Sequence, residues 1–227
     1  MQDLRFNGFS MIHKALRSML YDAAQSLQHT DFTDTAHTEQ ALTKVAMIVD
    51  LFDDHADHED NNILPLIKDY HPALAEAFEQ EHVTDKALSN ELKNGIARYK
   101  AAETPMERIK AGSKLFYTFN DFIAFNLTHM NREETVLNET LWANYSDMEI
   151  GMVNQKISAS VPPEKAVVNV TWMMRSCNDM EIVEFVKKVK AGLPEQMVNM
   201  MLGIAKQELP AHRHERIMQQ ITEQEPA

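Results

Sequence analysis

Two stretches of this chain carry the same interruption. Ala41, Val45, Ile48 and Phe52 recur at helical spacing, then the stripe turns into His55 and Glu59 before reverting at Ile63. Leu115, Phe119, Phe122 and Asn126 do the same, and there the stripe turns into His129 and Glu133 before reverting at Val136. Two further stripes each hold one histidine: Phe9, His13, Leu16, Leu20, Ala24, Leu27, and Leu74, Phe78, His82, Asp85, Leu88, Leu92. Residues three and four apart share one face of a helix. These stripes therefore direct His13, His55, Glu59, His82, His129 and Glu133 into one interior. A buried imidazole or carboxylate left unsatisfied costs about 1–3 kcal/mol or more. A cluster of this kind is hard to explain unless the groups coordinate a metal.

Punctuation sets the helices. A polar stretch from His29 to Thr35 ends the first, which spans roughly 9–28. The second spans roughly 38–67, with Pro65 and Pro72 marking its end and the next start. The third spans 72–101. Thr104-Pro105-Met106-Glu107 reads as a capping box that opens a fourth helix to about Tyr145. Shorter helices follow, divided by Pro162-Pro163, Asn178-Asp179, Gly192-Leu193-Pro194 and Pro210. No stretch of the first 145 residues shows the alternation of a strand. The expected fold is all-α: an antiparallel up-down-up-down four-helix bundle over 1–145, with C-terminal helices over 146–227 packed on it as one domain.

Register supports one level for the six groups. About a turn near Thr33, His13 lies about 20 residues before and His55 about 22 after, a mismatch of ~3 Å at ~1.5 Å per residue. Glu59 and His82 are similarly matched about a turn near Tyr70. His82 and His129 match more loosely about Thr104. A lone His followed by His-x-x-x-Glu, repeated in two successive hairpins, suits a dinuclear site with two bridging carboxylates. A His and carboxylate set without thiolate suits iron, manganese or zinc, and this one favours a non-haem di-iron centre.

Composition excludes other classes. The 227 residues include 22 Lys+Arg against 34 Asp+Glu, a net charge of −12, which is unsuited to phosphate-backbone binding. The single cysteine, Cys177, rules out an intrachain disulfide and any cysteine-rich metal site. The start Met1-Gln2-Asp3-Leu4-Arg5-Phe6-Asn7-Gly8 has no apolar leader core, and no run is long enough to span a membrane, so a soluble cytoplasmic protein is expected.

With these residues in place, the chain resembles the hemerythrin-like, or HHE cation-binding, family. His55-Ala56-Asp57-His58-Glu59 followed by Ile63-Leu64-Pro65 is similar to the family's His-x-x-x-Glu motif and its helix end. Ile12-His13-Lys14-Ala15-Leu16, Gln80-Glu81-His82 and His129-Met130-Asn131-Arg132-Glu133 resemble the other three motifs, and the likeness covers roughly 9–145. It implies His13, His55, Glu59, His82, His129 and Glu133 as ligands of two iron ions joined by an oxo or hydroxo bridge, with manganese or zinc as alternatives. Oxygen-carrying members have a second histidine on the third helix, where this chain has Lys86, and an aspartate after a longer spacing on the fourth. The four-His, two-Glu set is closer to iron-sensing and nitrosative-stress or iron–sulfur-repair members. With Cys177 as its single cysteine, this sequence is not expected to carry the paired-cysteine module of many repair members.

The remaining polar residues have plainer expectations. His58 is expected beside the site or solvated, and Asp85 is a candidate to orient a ligating imidazole. Tyr117 and Asn126 read as ordinary bundle residues. His29, His37 and His71 fall at helix ends, and His212 and His214 in a polar C-terminal segment. Met173, Met174, Met180, Met197, Met200 and Met201 read as packing rather than copper ligands. Cys177 lacks an activating neighbour.

Three functions are expected to compete. The first is a non-enzymatic binder or sensor of oxygen, nitric oxide or iron. The second is a di-iron redox enzyme of nitric oxide reductase, peroxidase or repair type, with a peroxide or diatomic substrate. The third is a structural or interaction protein with zinc or no metal. No nucleic-acid or membrane partner is expected. The C-terminal helices leave a protein partner or homodimer open.

Overall fold

Several helices begin where a side chain meets their free backbone N–H groups. The structure is a computed structural model that describes residues 5–223. Met1–Leu4, part of the stretch read as lacking a leader, lie outside the described residues. Among the described residues every regular element is helical and no strand occurs. Among these residues no helix is long and apolar enough to cross a membrane.

α1 spans Ser10–Gln28 and α2 spans Thr35–Asn62. Asp34 caps α2, its carboxylate accepting from the backbone N–H groups of Ala36 and His37 at 3.0 Å each. The second helix stops short of the expected boundary. Pro65 has no N–H to continue the ladder, so the chain breaks at Ile63 and forms a separate short helix, α3, Leu64–Lys68. α4, Pro72–Ala101, opens on its first-turn proline. The expected capping box is present at α5, Pro105–Arg132: Thr104 Oγ1 accepts from the Glu107 N–H at 3.2 Å, and Glu107 accepts from the Thr104 N–H at 3.0 Å.

The fourth stripe is not α-helical throughout. Glu133–Leu137 forms a π-helical segment before α6, Asn138–Asn144. The wider turn moves the inward position from the expected Val136, which is 43% exposed, to Leu137, which is buried. α7 follows, Asp147–Ser160, capped by Ser146 and Glu149.

The chain divides into two compact units. Among the described residues the first comprises 5–9 and 19–160, and so includes α7. Within it α4 packs along α5, and α2 and α3 pack on α4. Lys44 of α2 pairs with Asp22 of α1 at 2.8 Å. Phe52 meets Phe122 edge to face at 5.2 Å between centroids. Phe9, Ile63, Leu64, Ile67, Phe78, Leu137, Leu141 and Ile150 close one end. At the connection after α1, the Phe32 ring lies so near Gly112 that a Cβ there would fall 2.2 Å from it, and only glycine admits the ring.

The second unit comprises residues 10–18 of α1 and the chain from Val161 onward. It holds α8, Pro163–Ser176; α9, Asp179–Gly192; α10, Glu195–Glu208; and α11, Ala211–Glu223. α9 packs on α11 and α10, and α8 on α10, around Met174, Ile182, Val186, Ile204 and Ile217. Asp179 at the start of α9 accepts from Arg213 at 2.8 Å and from Arg216 at 2.6 Å, tying α11 to it.

Candidate metal centre

Long apolar helices place the polar cluster. On α2 the stripe through Val45, Ile48 and Phe52 is sealed, and one turn further the same face presents His55 and then Glu59. On α5 the stripe through Phe119 and Phe122 delivers His129 and Glu133 in the same way. α4 brings His82 between them. Glu59, His82 and His129 are 3–6% exposed and Glu133 is wholly buried.

These residues converge. His55 Nε2 is 3.2 Å from Glu59 Oε1, and His82 Nε2 is 3.4 Å from Glu59 Oε2. His129 Nε2 is 2.9 Å and His82 Nε2 3.8 Å from Glu133 Oε1. The two Nε2 atoms of His82 and His129 are 3.1 Å apart. Glu59, His82, His129 and Glu133 each offer one atom within 4.8 Å of the others. The donor set fits a metal ion. Ligands bound at about 2.1 Å lie roughly 3.0–3.4 Å from one another in octahedral or tetrahedral arrangement, and the observed spacings bracket that range.

Electrostatics point the same way. Burial disfavours a charged imidazole, yet Glu133, Glu59 and Asp60 outweigh it and raise His82 to about 11. His129 is raised too: burial again opposes the charge, and Glu133, with Glu59 behind it, prevails. Two carboxylates enclosed in an apolar shell create a strong demand for positive charge, which protons on the rings or a bound cation can meet.

The outer nitrogens are engaged as well. His82 Nδ1 meets Asp60 Oδ1 at 2.6 Å, and His129 Nδ1 meets Glu81 Oε2 at 2.7 Å. Arg132 pairs with Glu81 and lies 4.9 Å over the Phe78 ring. Phe125 stacks on His129 with the ring planes 12° apart. Asp60 and Glu81 carry no sequence signal of this role, because the rings they meet belong to neighbouring helices.

Other expectations resolve individually. Asp85, the expected orienter, does not meet a ring nitrogen; its Oδ1 accepts from the Asn126 amide at 2.6 Å, and burial raises its pKa. Asn126 is thus a buried partner of Asp85 rather than a plain bundle residue. His13 is fully buried on α1, in the segment that belongs to the second unit. The ring of His58 is 3.4 Å from Ser160 Oγ. His29, His37, His71 and Tyr117 are exposed, and Lys86 pairs with Asp53 at 2.9 Å. Cys177 is buried, its Sγ 3.9 Å from the Met11 carbonyl, and burial with the Glu181 charge pushes its pKa up to about 11.

The family model described as the hemerythrin HHE cation-binding domain matches residues 7–141, more than half of the chain. No curated protein and no solved structure matches it. The match spans the helices that bring His55, Glu59, His82, His129 and Glu133 together, and this chain belongs to the hemerythrin HHE cation-binding family.

Proposed function

We propose that the chain is a non-haem di-iron protein that binds or senses a small ligand: oxygen, nitric oxide or iron itself. In this reading His13, His55, His82 and His129 would supply nitrogens, and Glu59 and Glu133 carboxylate oxygens, to the metals. The observation that carries it is the enclosure of Glu59 and Glu133 among imidazole nitrogens 2.9–3.8 Å away, with both carboxylates nine-tenths buried or more. Family membership supports a metal, and in this family usually iron. Iron pairs held this way supply ligand-binding and one-electron chemistry. The residues of the chain do the rest. The two glutamates would offset part of the metal charge, the imidazoles would fix its position, and Phe78 and Phe125 pack against the His129 ring.

The test is elemental analysis of protein expressed with iron, paired with its absorption spectrum under reduction, oxygen and nitric oxide. About two irons per chain and absorption that changes reversibly with gas support the reading. Turnover of nitric oxide or peroxide with an electron donor would make the protein an enzyme instead. Zinc alone, or no metal, would overturn the redox proposal.

A further inference from the structure

Each of the two histidines on α4 and α5 has its ring pinned from outside by a carboxylate of the preceding long helix. Asp60 of α2 meets His82 Nδ1, and Glu81 of α4 meets His129 Nδ1. Each carboxylate neighbours a centre residue in sequence: Asp60 follows Glu59, and Glu81 precedes His82. One helix turn thus faces two ways, with one residue toward the centre and its neighbour toward the next ring. A neutral ring that donates its Nδ1–H to a carboxylate presents the Nε2 lone pair on its other side, the form in which it can bind a metal. On both rings Nε2 is the atom that faces Glu133.

The two pins differ in their surroundings. Glu81 is held in turn by Arg132, whose guanidinium lies over Phe78, and the Phe78 ring stands edge-on to His129 with centroids 5.8 Å apart. Asp60 is open to water. It lines a cavity of about 230 Å³ between α2 and α4, together with Asp57, Glu79 and His82.

We infer that Asp60 and Glu81 are positioning residues that fix the tautomer and direction of His82 and His129 and strengthen them as metal donors. The inference rests on the di-metal reading above. Asp85 provides the contrast. It is buried one turn from His82 but gives its carboxylate to Asn126, so it orients no ring.

The test uses the full chain, with Fe²⁺ and Co²⁺ titrated against a chromophoric chelator. Asp60→Ala and Glu81→Ala are expected to bind metal about 10–100-fold more weakly than the parent, while their metal-free melting points stay within a few degrees of it. Asp60→Asn and Glu81→Gln retain an oxygen acceptor. They are expected to recover part of the affinity while showing a shifted Co²⁺ absorption spectrum, a change that a merely structural role would not produce. Glu79→Gln, which lines the same cavity but touches no ring, is expected to match the parent. Parent-like affinity and spectra in both alanine variants would overturn the inference. If an alanine variant does not fold, the amide variants decide, and an unshifted spectrum in both counts against it. A parent that binds neither ion overturns the underlying reading and the inference with it, and the parent titration is run first to separate the two.

Discussion

Glu133 faces the Nε2 atoms of both His82 and His129 from a wholly buried position. Glu133→Ala removes the negative charge that these rings share. Breaking a buried charged pair by deleting one partner costs about 3–5 kcal/mol, so the variant is expected to melt well below the parent even without metal. On the di-iron reading it should also hold less metal than the parent, and Glu59→Ala should do the same. Elemental analysis and thermal denaturation check both, and parent-like metal content in the two variants would rule out shared carboxylates. Cys177 gives a second expectation at this scale. Its thiol is buried and its pKa is pushed up to about 11, so thiolate is scarce at neutral pH and alkylation should be slow until denaturant is added. Fast alkylation of the native chain would contradict that. The groups turned inward were legible in the sequence because His-x-x-x-Glu lies on one helix face. Asp60 and Glu81 were not, because pairing them with rings requires the rotation of two helices about each other. Asp85 misled for the same reason: its spacing from His82 is right on one helix, but Asn126 of another helix takes its carboxylate.

At the scale of the element, the fourth long helix holds the main departure from the sequence pattern. A π-helical segment is an α-helix with one residue inserted. The insertion at Glu133–Leu137 gives the inward position to Leu137 and leaves Val136 half out in solvent. Strict α periodicity could not have shown it, since the stripe His129, Glu133, Val136 is a valid α-helical one. Deleting Val136 should restore an unbroken α-helix while keeping Leu137 and Leu141 inward. The expected result is a melting point no lower than the parent's, with weaker metal binding because the backbone at Glu133 is re-aimed. A lower melting point with unchanged metal affinity would show that the segment serves packing instead. The start of α9 gives a pH dependence. Burial opposes the charge on Asp179, but hydrogen bonds from Arg213 and Arg216 prevail and hold its pKa below the usual 3.8. The folded pKa is the depressed one, so this contribution is complete above the unfolded value and is lost as pH falls through the folded value. The pair is partly solvated, so Asp179→Asn should cost about 1 kcal/mol near neutrality. It should also flatten the acid limb of stability measured by denaturant unfolding below the carboxylate range. An unchanged acid limb in the variant would remove Asp179 from the account.

Over the whole molecule, the apolar stripes and the cluster they enclose impose opposite demands. The stripes made the all-helical class readable, because nothing in them alternates as a strand does. The boundary between the units falls beside Pro162-Pro163, which the sequence marks only as a break between helices, and α1 contributes to both units. The enclosed cluster makes stability depend on what fills it. Without metal, protons on the cluster balance Glu59 and Glu133, the direction in which the raised His82 pKa points. With metal, those protons leave and the cation balances the same carboxylates. A ligand that binds only the folded chain at 100 times its dissociation constant adds about 2.7 kcal/mol. For a unit of this size that raises the melting point by roughly 5–10 °C. Iron loading is therefore expected to give a rise of that order, graded with free metal, and chelation should reverse it. Amide exchange should slow most in α2, α4 and α5, the helices that carry most of the proposed donors. A melting point indifferent to iron over a hundredfold range of concentration would mean that the cluster is satisfied by protons and internal pairing alone, and that the stripes of α2, α4 and α5 enclose a structural polar core.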